Sequence, residues 1–250
     1  MQTESLFVTT EDRLLGGRIG LRQPACGYRA AIDPVMLAAA VAAKPGESVL
    51  DLGCGVGAAA LCLLARLPQL QITGLELQPE LAGLARLNAE ANGRSESFRV
   101  VEGSVAAIPP TLGGFDHVMT NPPFHRPEQG TPPPGVIKEI ANVEGEVDLA
   151  MWVKASMRLL KPKGRMAAIH RADRLADLLA ALRGSGAGAI RILPLWPKAG
   201  RPAGRVLVLA RKGSRAPLEL LPGLVLHRDD GGFTEAAEAV LRGGQALHTS

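Results

Sequence analysis

The chain has 250 residues, 46% of them hydrophobic and 21% charged, with a formal net charge of +4; a composition of this kind builds a folded domain with a sizeable core and excludes intrinsic disorder for most of the length. The longest apolar run, residues 35–43, is nine long, half of the roughly 18 that a membrane helix needs, and Glu4, Glu11 and Asp12 stand where a secretory leader would be basic and then apolar. Cys26, Cys54 and Cys62 are an odd set without C-x-x-C spacing, which argues against a disulfide framework or a zinc site, predicts no bound metal, and fits a reducing cytoplasm.

In chain order, a Gly-rich stretch around residues 15–21 reads as a hairpin and residues 33–43 as a leading helix. Residues 48–51 are a short apolar run ending in an acid, followed by glycines and a helical pattern over 58–67 that stops at Pro68. A strand over 71–75 precedes Pro79, which opens a helix running to Ala91. Strands are predicted at 98–102 and 115–120, a helix at 146–160, a strand at 165–170 and a helix at 172–182. Two final strands, 189–193 and 205–210, are joined by a loop rich in Pro, Gly and basic residues. This alternation predicts an α/β fold, a doubly wound and mostly parallel sheet with helices on both faces. Ligands of such sheets bind beyond the carboxyl ends of the strands. Residues 127–135 carry Pro127, Pro132, Pro133 and Pro134 with two glycines and are expected to form an irregular loop beside the site.

Three turns after strands carry chemistry. The first is Asp51-Leu52-Gly53-Cys54-Gly55-Val56-Gly57, where glycines let the backbone turn tightly against a ligand at a helix N-terminus. Gly53, Gly55 and Ala58 also fit the dinucleotide pattern G-x-G-x-x-A, so the glycines alone choose no cofactor. Asp51 tips the choice: an acid there suits an ammonium group, as in the methionine moiety of S-adenosylmethionine, and repels a pyrophosphate. The second is Glu76, whose carboxylate can accept hydrogen bonds from both hydroxyls of an adenosine ribose, each worth roughly 1.5–3 kcal/mol. The third is Asn121-Pro122-Pro123-Phe124. Asn does not titrate, so this is no acid–base device. It offers two acceptors, the Asn121 side-chain oxygen and the Pro122 carbonyl, on a turn stiffened by two prolines that lack N–H groups. A planar –NH2 satisfies both acceptors, and Phe124 can stack on the ring attached to it, a contact worth roughly 1–3 kcal/mol.

On these residues the chain resembles the class I S-adenosylmethionine-dependent methyltransferases with an N-P-P-[FY] motif, and within them the bacterial tRNA (valine) adenine-N6 methyltransferase family. The resemblance extends over nearly the whole chain and includes Gly27-Tyr28-Arg29-Ala30-Ala31-Ile32-Asp33-Pro34, which is similar to that family's cofactor-lid entry. It implies a seven-stranded Rossmann-like sheet, with the last strand antiparallel between strands five and six. It further implies S-adenosylmethionine bound by Tyr28, Asp33, Asp51, Gly53, Gly55, Gly57, Glu76 and Asn121, and a target amine held by Asn121, Pro122, Pro123 and Phe124. Many relatives carry an acid after the third strand; here that place falls on Ser104, a hydroxyl without the charge. The implied division is an N-terminal extension over 1–47, a catalytic domain over 48–217 and a tail over 218–250 packed on it, opening a helix capped by Thr234.

Charge points to the partner. Residues 1–150 hold 11 Lys/Arg against 17 Asp/Glu, whereas residues 151–217 hold 15 against 2. Such a basic segment suits a polyanion, with tRNA the expected substrate; a solvated arginine-rich face would show the same counts. Lys198, Arg201 and Arg205, interleaved with Trp196, are expected to contact RNA, and so is Arg126 after the N-P-P-F turn. Trp152 lies in a helical apolar pattern and reads as core. Rival functions are methylation of a protein glutamine amide, methylation of a ribosomal guanine N2, and a non-catalytic RNA-binding module. The first usually brings a separate N-terminal domain and the second a duplicated one, and the length argues against both.

Overall fold

The computed structural model describes residues 8–26, 29–123 and 147–248. A hairpin of β1 (Thr9–Leu14) and β2 (Ile19–Pro24) opens the chain, its turn made by Leu15–Gly17. Helix α1 (Ile32–Ala40) follows, then β3 (Ser48–Leu52), α2 (Ala58–Arg66), β4 (Gln71–Glu76), α3 (Pro79–Ala91), β5 (Phe98–Glu102) and β6 (Phe115–Thr120). The second half gives α4 (Leu149–Leu159), β7 (Leu160–Arg171), α5 (Leu175–Gly184), β8 (Ala187–Lys198), β9 (Arg205–Lys212), β10 (Glu219–Leu220), β11 (Leu224–His227) and α6 (Glu235–Leu241). Pro79 sits in the first turn of α3, where its missing N–H costs nothing. Asp148 and Thr234 cap α4 and α6 by accepting N–H bonds from Met151 and Ala237. None of the described helices is long and apolar enough to cross a membrane.

The main sheet runs β5-β4-β3-β6-β7-β9-β8, with β9 antiparallel between β7 and β8 and the other neighbours parallel up to β7. This is the expected seven-stranded order. The short strands β10 and β11 add to it, both pairing parallel with β8 and extending the sheet to nine strands. The segment after 218 therefore continues the sheet edge. Strand β8 is also longer than expected: Trp196, Pro197 and Lys198 are strand residues, paired with β11 through Val225↔Trp196 and His227↔Lys198. The connecting loop shrinks to 199–204. β11 lies far along the chain, and the sequence of β8 alone gives no sign of a partner there.

Period-two alternation divides the core into two layers. Val49 of β3, Ala167 and Ile169 of β7 and Leu207 of β9 face the cluster under α1, α2, α3 and α6. Leu50, Leu52, Met166, Ala168, Val206 and Val208 face the cluster under α4 and α5. At roughly 25 cal/mol per Å2 of apolar surface, these two layers are the main favourable term in stability.

Candidate active site

Three neighbouring parallel strands end level with one another. Leu52 of β3 is in register with Leu75 of β4 on one side and Thr120 of β6 on the other. Gly53, Glu76 and Asn121, each next in its chain, therefore line one edge of the sheet, with about 10 Å, or two strand spacings, between Glu76 and Asn121. The turn after β3 is pinned sideways, since the Gly53 and Cys54 N–H groups both donate to the Leu75 carbonyl, at 2.8 and 3.1 Å.

Asp51 is buried, 2% exposed. The Ala60 N–H supports its carboxylate, while Oδ2 has no hydrogen-bond partner among the described residues. Burial pushes its pKa up to about 7, and the nearby charge of Glu76 adds to the rise. A buried carboxylate oxygen in this condition calls for a cation. Glu76 is buried as well; its Oε2 accepts the Gly55 N–H at 2.8 Å and its Oε1 the Gln78 N–H at 2.9 Å. Burial raises its pKa, and those backbone donors oppose the rise. These two acceptors fit a ligand with a cationic end over Asp51 and hydroxyl donors over Glu76, which matches S-adenosylmethionine.

The glycines meet a steric need at two places. A Cβ on Gly53, at φ 73°, would come within 2.8 Å of the Trp152 ring, and one on Gly57, at φ 83°, within 2.6 Å of Phe98. Trp152 is thus more than the core residue its apolar pattern suggests. From α4 its ring backs the glycine turn, its Nε1–H donates to Thr120 Oγ1 at 2.6 Å, and that hydroxyl donates to the Leu52 carbonyl at 2.8 Å. One side chain thereby braces both the turn after β3 and the strand end that carries Asn121. Trp152→Phe removes both the N–H donor and the outer part of the indole that lies against Gly53. It is expected to lower turnover roughly three- to tenfold with cofactor affinity, read by calorimetry, within about twofold; unchanged turnover would refute the bracing role.

Asn121 leaves β6 half-buried with its Oδ1 enclosed, Pro122 is buried and Pro123 is half-buried. Phe124, Arg126, Tyr28 and the loop over 127–135 lie outside the described residues. Behind the turn is His170 of β7, fully buried, its Nδ1 accepting the Arg171 N–H at 2.9 Å and its ring meeting the Pro123 backbone. Burial, with Arg174 nearby, drives its pKa down to about 4, so it is neutral at physiological pH. No sequence signal marked it, because the turn it meets follows another strand.

Ser104 follows β5, and its Oγ accepts the Ala106 N–H at 3.1 Å, so the hydroxyl caps a turn. Asp33 and Arg205, expected as a cofactor contact and an RNA contact, lie together, with Arg205 Nε donating to Asp33 Oδ2 at 3.0 Å. Lys198 Nζ reaches the Asp229 carbonyl at 3.3 Å, and Arg201 is exposed on the 199–204 loop. Trp196, expected in a basic loop, donates from β8 to the Pro222 carbonyl at 3.3 Å. Folding also tempers the basic excess: Lys161 pairs with Asp116 and Arg191 with Glu219, acids from outside the basic segment.

Known proteins are similar to this chain. A tRNA1(Val) (adenine(37)-N6)-methyltransferase of Porphyromonas gingivalis is 32% identical over 169 residues, 64% of this chain and 66% of that protein, so the match spans just under two thirds of the relative. A release factor glutamine methyltransferase of Deinococcus radiodurans is 45% identical over 76 residues, 30% of this chain and 26% of that protein. Among solved structures, a predicted O-methyltransferase, protein Atu636 from Agrobacterium tumefaciens, superposes with a TM-score of 0.70 at 29% identity, covering 86% of this chain and 98% of that one. The family model described as methyltransferase small domain matches residues 32–174, from α1 through the three strand-end turns to the start of α5. With more than half of its length inside that match, the chain belongs to the methyltransferase small domain family.

Proposed function

We propose that this chain transfers a methyl group from S-adenosylmethionine to the exocyclic N6 amino group of an adenine in tRNA. The observation that carries the reading is the register Leu52↔Thr120, which sets Asn121 beside the glycine turn and its buried acid. The named activity of the Porphyromonas relative, matched over 64% of this chain, supports the adenine and the tRNA.

S-adenosylmethionine supplies, when bound, a methyl group activated by a positive sulfur. Asp51 holds the cationic end, Glu76 the ribose hydroxyls, and the turns at Gly53, Gly55 and Gly57 admit the backbone to close range. Ser104 offers a hydroxyl to the adenine. Asn121 Oδ1 and the Pro122 carbonyl accept hydrogen bonds from the two amino protons and fix the nitrogen in line for attack, which is catalysis by orientation. As that nitrogen gains a bond it becomes positive, and the same two oxygens stabilise the charge. The proton then leaves to water. Pro123 stiffens the turn and Phe124 stacks on the base.

Glutamine-amide methylation is the second reading, favoured by the 45% identity over 76 residues to a glutamine methyltransferase, because a primary amide presents the same planar –NH2. Incubation with methyl-labelled S-adenosylmethionine and separate pools of tRNA, rRNA and soluble protein decides between them. Label recovered as N6-methyladenosine from tRNA is the expected result; label in protein alone would overturn it.

Lys198, Arg201 and Arg205 are the described cations assigned to RNA, and the cytoplasm, where tRNA resides, is the assigned compartment. Replacing Lys198 and Arg201 together by Gln is expected to flatten the slope of log affinity for tRNA against log salt by roughly 1.5. An unaltered slope in filter binding would place the RNA elsewhere.

A further inference from the structure

Past β7, the same edge of the sheet continues with the end of β8 and the start of β9, and there the chain forms a cleft of about 330 Å3. Ile32, Leu195, Pro197 and Leu226 supply apolar walls, and Arg29, Asp33 and Arg205 the polar groups. Asp51 and Glu76 are not among the lining residues, so the cleft is separate from the described cofactor cradle. Both guanidiniums are held by a carboxylate: Arg205 by Asp33 at 3.0 Å and Arg29 by Asp12 at 2.6 Å. Each keeps its side chain more than a third exposed. Arginines held in this way lose little freedom when a ligand arrives.

The balance of charge selects the ligand. Arg205 with Asp33 and Arg29 with Asp12 sum to no net charge, so the cleft has no excess charge to hold a dianionic phosphate monoester and suits the single charge of a phosphodiester better. The apolar walls suit a flat ring. Position selects it further: Arg205 pairs in register with Arg171 of β7, and Ala168, three residues earlier on that strand, pairs with Thr120 of β6. The arginine side of the cleft, at Arg205 of β9, therefore lies two strand spacings, roughly 10 Å, from the strand that carries the N-P-P turn, and its apolar walls on β8 and β11 lie one and two spacings further, within reach of the next nucleotide along a single strand. RNA loops are read in this manner, with bases splayed out against apolar or guanidinium planes.

We propose that this cleft seats the nucleotide adjoining the target adenosine, its base against Ile32, Leu195, Pro197 and Leu226 and its phosphodiester at Arg205 and Arg29. The assignment rests on the reading of RNA as substrate. The Asp33–Arg205 pair is then a device that orients a phosphate-binding arginine, a positioning role for Asp33 in place of contact with the cofactor.

The test uses the full chain with an unmodified valine tRNA transcript and with transcripts carrying a neutral methylphosphonate at the phosphate on either side of the target adenosine. Arg205→Gln is expected to raise KM about tenfold with kcat little changed, and Arg29→Gln, a more peripheral change, to raise it in the same direction. One of the two methylphosphonates should raise the wild-type KM similarly and add no more than about twofold to Arg205→Gln. Multiplying effects of substitution and methylphosphonate would overturn the contact, and so would a wild-type KM in both variants. Calorimetry with S-adenosylmethionine is the second readout: unchanged affinity in the variants is expected, and a parallel loss would return the cleft to the cofactor. If the wild type labels tRNA while the variants behave normally, the cleft alone fails; if it labels only protein, the RNA reading fails and the cleft assignment with it.

Discussion

Replacing Asn121 by alanine is expected to reduce methyl transfer by roughly a hundredfold or more while cofactor affinity changes less than about threefold. The substitution removes one of the two acceptors that orient the amine, and misplacement of a reacting group by about 1 Å costs on the order of a hundredfold. The fold should survive, since Asn121 follows β6 and the strand is anchored by its pairing with β3 and β7. Single-turnover rates with pre-bound cofactor, set beside calorimetric affinity, check the point. Equal loss of binding and turnover would mean that Asn121 serves the cofactor and not the amine.

The second large effect concerns Asp51. Its pKa in the folded chain is about 7, against 3.8 for an ordinary aspartate, so between those values the folded state holds a proton that the unfolded state has lost. Stability from this group therefore grows as pH falls from above 7 toward 4, and ionisation above 7 costs the ligand-free protein. Glu76, also raised by burial, acts with the same sign. A cationic ligand reverses the preference, because it pairs with the ionised form and must expel the proton below pH 7. Affinity for S-adenosylmethionine is expected to weaken about tenfold from pH 8 to pH 6. Asp51→Asn should lower affinity at pH 8 at least thirtyfold, the roughly 2 kcal/mol minimum for a truncated buried charge pair, and abolish the pH dependence. It should also raise the melting temperature of the ligand-free chain at pH 8. Retained pH dependence in Asp51→Asn would move the titration to another group.

Some of this was legible in the sequence because local chemistry and strand ends coincide. Asp51, the three glycines, Glu76 and Asn121 each follow a short apolar run, and a parallel sheet gathers its strand ends at one edge whatever packs around them. The hairpin turn, the helix opened by Pro79 and the Thr234 cap were equally readable, since each depends on residues within a few positions of one another.

Other features were not legible, for one recurring reason. Trp152 reads as core from its helical spacing, and its pattern of neighbours is consistent with that; what the spacing omits is that the wall it meets is Gly53 and that its N–H finds Thr120, on another element. Trp196 and Lys198 suggest a loop until β11 pairs with them. Asp33 and Arg205 stand 172 positions apart and meet only when α1 is laid against the start of β9. Hydrophobic periodicity reports that a face is covered, not which element covers it. The order of the amino acids thus determined the α/β alternation and the reactive groups at the ends of β3, β4 and β6, because those follow from local spacing. Tertiary packing decided which side chains brace that edge, where the arginines point and that a cleft opens beside it, because each of those depends on contacts between residues distant in the chain.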